Sequence, residues 1–185
     1  VMGIGPIGLM AVEGARHLGA ARIIAVGSRP VCVKLAREFG ASEVISYRDG
    51  DVVQQVLEKT GGVGADSVIL CGGGDEVFTQ AVDMVRYGTG TISNVNYYGG
   101  TGCLGFPKFS GGRGMAGKTI HTELAKGGRA RIERLLAMVK YGRIDPQKLV
   151  THHLYGLDKV EDALYMMKEK ADDLVKVMVK IDWKD

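Results

Sequence analysis

The sequence predicts an α/β fold, a doubly wound parallel sheet, and three observations carry that prediction. Strand-like apolar runs and helical patterns alternate from the start to about Leu124, the signature of parallel strands joined by crossover helices. The 28 glycines in 185 residues are about twice the usual share, which suits many tight strand-to-helix turns. The chain also opens on Gly3-Ile4-Gly5-Pro6-Ile7-Gly8, a Gly-x-Gly-x-x-Gly turn of the kind that closes a strand and opens a helix.

After a stub at Val1 and Met2, Pro6 suits a first helical turn, and Leu9, Val12, Arg16 and Leu18 continue the helical pattern. An apolar strand spans Arg22 to Val26, and a helix runs from Pro30 to Phe39 before Gly40 ends it. A short strand covers Glu43 to Tyr47. The helix from Asp51 to Lys59 opens on an acidic first turn, and Ser67 to Leu70 is the next strand. From Asp75 to Tyr87, Val77, Phe78, Ala81, Val82 and Val85 share one side of a packed helix. Strands are expected at Thr91 to Val95 and at Lys118 to Leu124.

Beyond Gly127-Gly128 the repeated strand-helix units are expected to stop, which places a boundary near Ala125. Residues 1–124 then form a dinucleotide-binding domain and 125–185 a C-terminal segment. Ile132, Leu135, Leu136 and Val139 predict one amphipathic helix, and Val160, Ala163, Leu164 and Met167 a second. The stretch between them, around Asp145-Pro146, reads as irregular. Val175, Val177, Val179 and Ile181 alternate with Lys176, Met178 and Lys180 as a half-buried strand.

In this architecture the first strand is central, beside the point where the ligand binds. Two residues are too few to form it. Stranded backbone groups on its neighbours cost about 1 to 3 kcal/mol each. The expectation is therefore that the first strand is truncated, that Val1 is a cut point and that the natural chain carries more sequence upstream.

No apolar run approaches the roughly 18 residues that span a bilayer, so no membrane contact is expected. Cys32, Cys71 and Cys103 are odd in number and widely spaced, which favours a reduced, cytoplasmic chain. The net charge of +3 arises from 24 basic and 21 acidic residues, too mixed a field to argue for nucleic acid. The basic run Arg129 to Arg134 includes Glu133 and reads as a solvated helix face.

The glycine turn makes a dinucleotide the expected ligand. Its first Gly forms the bend, the second admits the pyrophosphate near the backbone, and the third lets the helix pack on the sheet. A carboxylate about 20 residues later would bind a ribose 2′-hydroxyl. Here the second strand ends Val26-Gly27-Ser28-Arg29 instead. Gly27 leaves room, Ser28 can donate a hydrogen bond, and the planar fork of Arg29 matches a phosphate. NADP is thus expected over NAD, the alternative being an ordinary surface turn with an exposed arginine.

Gly112-Arg113-Gly114-Met115-Ala116-Gly117-Lys118-Thr119 matches the Gly-x4-Gly-Lys-Thr loop of triphosphate binders. That loop needs a strand before it and a helix after it, so that the helix N-terminus faces the phosphates. Phe106 to Ser110 is not a clear strand, and the residues from Ile120 are β-branched and alternating. The triphosphate reading is discounted.

Gly3 to Met10, Val26 to Pro30, Ile92 to Tyr97 and Lys148 to His152 resemble the NADP-dependent, zinc-containing secondary alcohol dehydrogenases of the medium-chain dehydrogenase/reductase superfamily. The similarity runs to about Ile181. It implies a Rossmann cofactor domain followed by a segment that returns to the catalytic domain. It also implies that Ile4 to Ile7 wrap the pyrophosphate, and that Gly27, Ser28, Arg29 and Tyr47 hold the 2′-phosphate end. Val95, Asn96 and Tyr97 would lie near the nicotinamide and Lys170 would reach back towards the cofactor. Taken without the resemblance, Tyr47 reads as a packing residue at a strand end and Lys170 as a solvated lysine.

The family is typically tetrameric and pairs its cofactor domains through the strand around Thr91 to Val95, so a homo-oligomer is expected. Members bind catalytic zinc through Cys, His and acidic residues upstream of the glycine turn, so no metal ligand and no catalytic residue is assigned here. His152 and His153 are adjacent, and His17 and His121 isolated, so each reads as a surface or packing residue. The expected function is the NADP(H)-binding portion of an enzyme that transfers hydride between a secondary alcohol or ketone and NADP(H). A rival is a non-catalytic NADP-binding or oligomerisation module.

Overall fold

The computed structural model describes residues 1–122 and 124–181. Helix α1 (Pro6–His17) has Pro6 in its first turn, Leu9 and Val12 buried, and Arg16 and His17 in the last turn, where cations suit the helix dipole. There follow β1 (Ile24–Val26), α2 (Pro30–Glu38), β2 (Glu43–Ile45), α3 (Val52–Lys59), β3 (Ser67–Leu70), α4 (Glu76–Met84), β4 (Thr91–Asn94) and β5 (Thr119–Thr122). Each lies within the segment expected for it. Glu123, inside the span expected for the last of these strands, is outside the described residues, as are the final four residues of the C-terminal segment.

All the ladders are parallel: β1 with β2, β3 with β4, and β4 with β5. Met2 joins the two groups, bridging Val26 on one side and Leu70 on the other. Its amide donates to Ile69 O at 2.8 Å, and its carbonyl accepts from the Cys71 amide at 2.8 Å. Val1 O accepts from the Val26 amide at 2.9 Å. With Met2 in the place of a first strand, the order β2-β1-Met2-β3-β4-β5 is that of a doubly wound dinucleotide-binding sheet. Short as it is, the stub therefore satisfies both neighbours at their C-terminal ends. Toward their N-terminal ends, Arg22 to Ile24 and Ala65 to Val68 face one another across a cavity of about 560 Å³.

Helices cover both faces. On one, Leu9 and Val12 of α1 pack with Leu35, Ala36 and Phe39 against Ile23 and Ala25. On the other, Val52 and Val56 of α3 and Val77, Ala81 and Val82 of α4 pack with Val68, Leu70 and Ile92. Asp51 caps α3 by accepting from the amides of Val53 and Gln54 at 2.7 and 3.3 Å.

Four features depart from the sequence expectation. Helix α4 stops at Met84 because Val85 turns extended; the Ala65 amide donates to Met84 O at 2.9 Å and the Arg86 amide to Ala65 O at 2.8 Å. Strand β4 is flanked on both sides by β3 and β5, so it has no free edge through which to pair with another subunit. On that side of the sheet the edge strand among the described residues is β5, whose four residues are all exposed; β2 is the edge on the other side. Finally, the strand-helix units do not stop near Ala125. Helix α5 (Arg129–Lys140) is followed by an unforeseen strand β6 (Val150–Tyr155), then α6 (Val160–Glu169) and β7 (Lys176–Lys180), and β6 and β7 pair in parallel as one more crossover unit. That unit is anchored to the first by Leu149 and Val175, which enter the core formed by α1 and α2.

The Gly112 to Thr119 loop passes through one short 3₁₀ turn at Gly114–Ala116 and a left-handed Gly117 straight into β5. No helix follows it to face a phosphate. Lys118 donates instead to Val82 O, and its burial holds its pKa below the usual lysine value.

Candidate functional site

The three glycines of the opening turn are held by different constraints. At Gly3, φ is +84° and a Cβ would lie 2.9 Å from the Gly72 backbone, so the bend brings two main chains together. At Gly8 a Cβ would fall 1.8 Å from Gly3 O, so only glycine lets α1 start so close to the bend. At Gly5 nothing lies within 4 Å. The space over Gly5 is open, and the first amides of α1 have no partner within the helix. An anion approaching there meets free N–H groups and the positive end of the helix dipole.

That opening leads into a cleft of about 660 Å³ at the C-terminal ends of the strands. It lies at the switch point of the sheet, where Met2 separates β1 from β3 and the crossovers change direction. Gly3, Ile4, Gly5, Pro6, Gly27, Ser28, Arg29, Tyr47 and Lys170 all line it. Ile4 contributes main chain, since its side chain is buried in the core. A Cβ on Gly27 would meet that side chain at 2.2 Å, so Gly27 makes room for Ile4.

Ser28 Oγ is buried with no hydrogen-bond partner among the described residues. An unpaired buried hydroxyl costs about 1 to 3 kcal/mol, and a ligand that accepts its proton removes that cost. Beside it Arg29 donates from Nη1 to the Leu174 carbonyl at 2.5 Å. Among the described residues no carboxylate is paired with this arginine, which leaves its charge to an anion in the cleft.

Of the other expected site residues, Ile7 and Gly8 do not line the cleft. Val95, Asn96 and Tyr97, beyond β4, do not line it either; Asn96 alone reaches a lining residue, its Nδ2 donating to Gly73 O at 3.2 Å. Lys170 ends α6 in a left-handed conformation, φ +53°, the one non-glycine residue with positive φ among those described. Sequence reading missed the turn after β3, Cys71 to Gly73, together with Glu76 and Gln80 of α4. Burial pushes the Cys71 thiol up to about 11, against a smaller opposing effect of the nearby N-terminal charge, so it is a neutral wall group. The only advance signal for this wall was the Gly72-Gly73-Gly74 run.

Among the described residues no group of three or more His, Cys, Asp and Glu side chains is placed to hold a metal ion. His152 Nδ1 lies 3.0 Å from Thr151 Oγ1, and its Nε2 is 3.7 Å from Asp173. No described helix is long and apolar enough to cross a membrane.

A family model described as zinc-binding dehydrogenase matches residues 6–122. An NADP-dependent isopropanol dehydrogenase of Entamoeba histolytica is 49% identical over 185 residues, covering 100% of this chain and 50% of the relative. One from Clostridium beijerinckii is 50% identical over 179 residues, covering 97% of this chain and 51% of the relative. Among solved structures, an alcohol dehydrogenase from Thermus sp. ATN1 superposes with a TM-score of 0.82 at 30% identity, over 98% of this chain and 51% of that one. A benzyl alcohol dehydrogenase from Acinetobacter calcoaceticus gives 0.85 at 26% identity, over 98% and 48%. The chain spans about half the length of the curated relatives it matches.

Proposed function

Because the chain belongs to the zinc-binding dehydrogenase family, we propose that its cleft binds NADP(H) for hydride transfer between a secondary alcohol and its ketone. The substrate class is that of the isopropanol dehydrogenases it is similar to. The observation that carries the cofactor assignment is the unpartnered, buried Ser28 hydroxyl beside the Arg29 guanidinium, in a cleft whose other end opens over Gly5.

The main chain from Ile4 to Ile7 takes the pyrophosphate, with the first amides of α1 as donors, and Gly8 keeps α1 close enough to aim them. Gly27, Ser28, Arg29 and Tyr47 take the adenosine 2′-phosphate. Ser28 donates its hydroxyl proton and Arg29 its remaining N–H groups. Val95, Asn96 and Tyr97 border the nicotinamide end, and Lys170 reaches over the cleft. Bound there, NADP(H) would supply the hydride-transfer chemistry of its nicotinamide ring. The described residues offer no donor set that fits the zinc of the family description, and no step is assigned to it.

Residues 1–124 act as the cofactor domain and 125–185 as the segment that returns to the catalytic domain. A homo-oligomer, a tetramer as in the resembled family, uses the free edge of β5, because a strand added there closes an exposed edge. The cytoplasm is the expected location of such an enzyme.

Calorimetry with NADPH and NADH tests the assignment. A charge-assisted bond is worth about 1.5 to 3 kcal/mol, so Arg29→Ala weakens NADPH binding by about tenfold or more and leaves NADH nearly unchanged. Equal losses for the two cofactors reject it.

A further inference from the structure

Arg29 stands where the two halves of the chain meet. The one hydrogen bond of its guanidinium among the described residues crosses 145 positions of sequence to the Leu174 carbonyl. Two residues on, the Val31 amide donates to Asp172 O at 3.3 Å, so the start of α2 grips the loop after α6 at two points. Leu174 and Val175 are buried, and the Val175 amide donates to Thr151 Oγ1 at 2.9 Å. The same loop walls the cleft through Lys170, Asp172 and Leu174. A guanidinium carries five N–H donors in a rigid plane. One edge can hold a carbonyl while the other faces a phosphate.

We propose that the Leu174 carbonyl is a positioning group for 2′-phosphate recognition, and that Arg29 shares its fork between the two. A cofactor bearing that phosphate thereby fastens the loop from Ala171 to Val175 onto α2, whereas one lacking it does not. The inference rests on the assignment of the cleft to NADP(H), and adds to it a coupling between the 2′-phosphate and the docking of the C-terminal unit. By reciprocity, whatever loosens that loop weakens NADPH by the same factor and spares NADH.

Hydrogen exchange on the full chain tests it, in peptides covering Ala171 to Lys176, with NADPH or NADH each present at saturation as measured by fluorescence titration. NADPH is expected to slow exchange there about fivefold or more relative to NADH, the lower end of ordinary coupling. In Arg29→Lys the single ammonium cannot serve both acceptors, so saturating NADPH gives only the protection that NADH gives. Both cofactors bound with equal protection in the unsubstituted chain overturns the coupling and leaves the cofactor assignment standing. Faster exchange with NADPH also overturns it, since the arginine would then have left Leu174 for the phosphate. Failure of NADPH to bind removes both.

Discussion

Replacing Gly5 by alanine separates folding from binding in one methyl group. Gly5 has φ −73° and ψ −169°, an extended conformation open to any L-residue, and its Cβ would meet nothing within 4 Å. As the N-cap of α1, alanine is worse than glycine by about 0.5 to 1.5 kcal/mol. It recovers about 0.4 to 1 kcal/mol through a stiffer unfolded chain. The balance is within about 1 kcal/mol, a Tm change of no more than about 4 °C for a chain of this size. The methyl nevertheless stands where the pyrophosphate must approach the amides of α1. Losing one charge-assisted bond at about 1.5 to 3 kcal/mol weakens NADPH by about tenfold to a hundredfold or more. The comparison is Gly8→Ala, whose Cβ would sit 1.8 Å from the Gly3 carbonyl oxygen. That contact is with main chain, which cannot rotate away, so the cost reaches or exceeds the ~3 kcal/mol upper range of overpacking. Thermal unfolding with NADPH calorimetry on both variants decides the matter. A Gly5→Ala protein that binds NADPH like the parent refutes the claim that the open space over Gly5 is the pyrophosphate approach.

Two further outcomes follow from the same geometry. Asp51→Ala removes the side-chain bonds to Val53 and Gln54 that cap α3, at about 1 kcal/mol, and thermal denaturation should show Tm lower by about 2 to 4 °C with NADPH affinity unchanged. Burial raises the Cys71 thiol to about 11, so its reactive thiolate is scarce at neutral pH and grows about tenfold per pH unit up to that value. Iodoacetamide followed by mass spectrometry should label the exposed Cys103 first at pH 8, reach Cys71 only as the pH is raised, and be slowed at Cys71 by NADPH; rapid labelling of Cys71 at pH 8 contradicts the burial.

What the sequence made legible is what single positions demand of the backbone. Gly3, Gly5 and Gly8 sit at the spacing of a dinucleotide-binding turn, Pro6 marks the helix start, and the absence of a carboxylate after Val26 carries chemical meaning through its offset from that turn. The structure brings Gly3, Gly5, Pro6 and the residues after Val26 to one cleft, with Gly8 outside its lining. Strand β6 stayed hidden because Val-Thr-His-His-Leu-Tyr lacks apolar alternation. What fixes it as a strand is its long-range ladder with β7. For the same reason the sequence did not show that β4, through which the resemblance implied subunit pairing, has a neighbour on each side. Edges are a property of strand order, and Thr91 and Thr119, both β-branched strand starts, do not reveal which strand has a neighbour on each side.

The Arg29 to Leu174 bond shows where local reading ends in this fold. The guanidinium was visible as a phosphate ligand from its offset to the glycine turn, yet nothing near it in sequence announces the carbonyl that holds it. That carbonyl belongs to a loop whose path depends on β6 and β7 pairing and on Leu149 and Val175 entering the core beside α2. Specificity for a 2′-phosphate then has two parts. The charge is written locally at residue 29, while its aim is set by the packing of a unit more than 140 residues away. Substitutions at Leu149, which packs in that core and does not line the cleft, should therefore alter the discrimination between NADPH and NADH in calorimetry with the two cofactors.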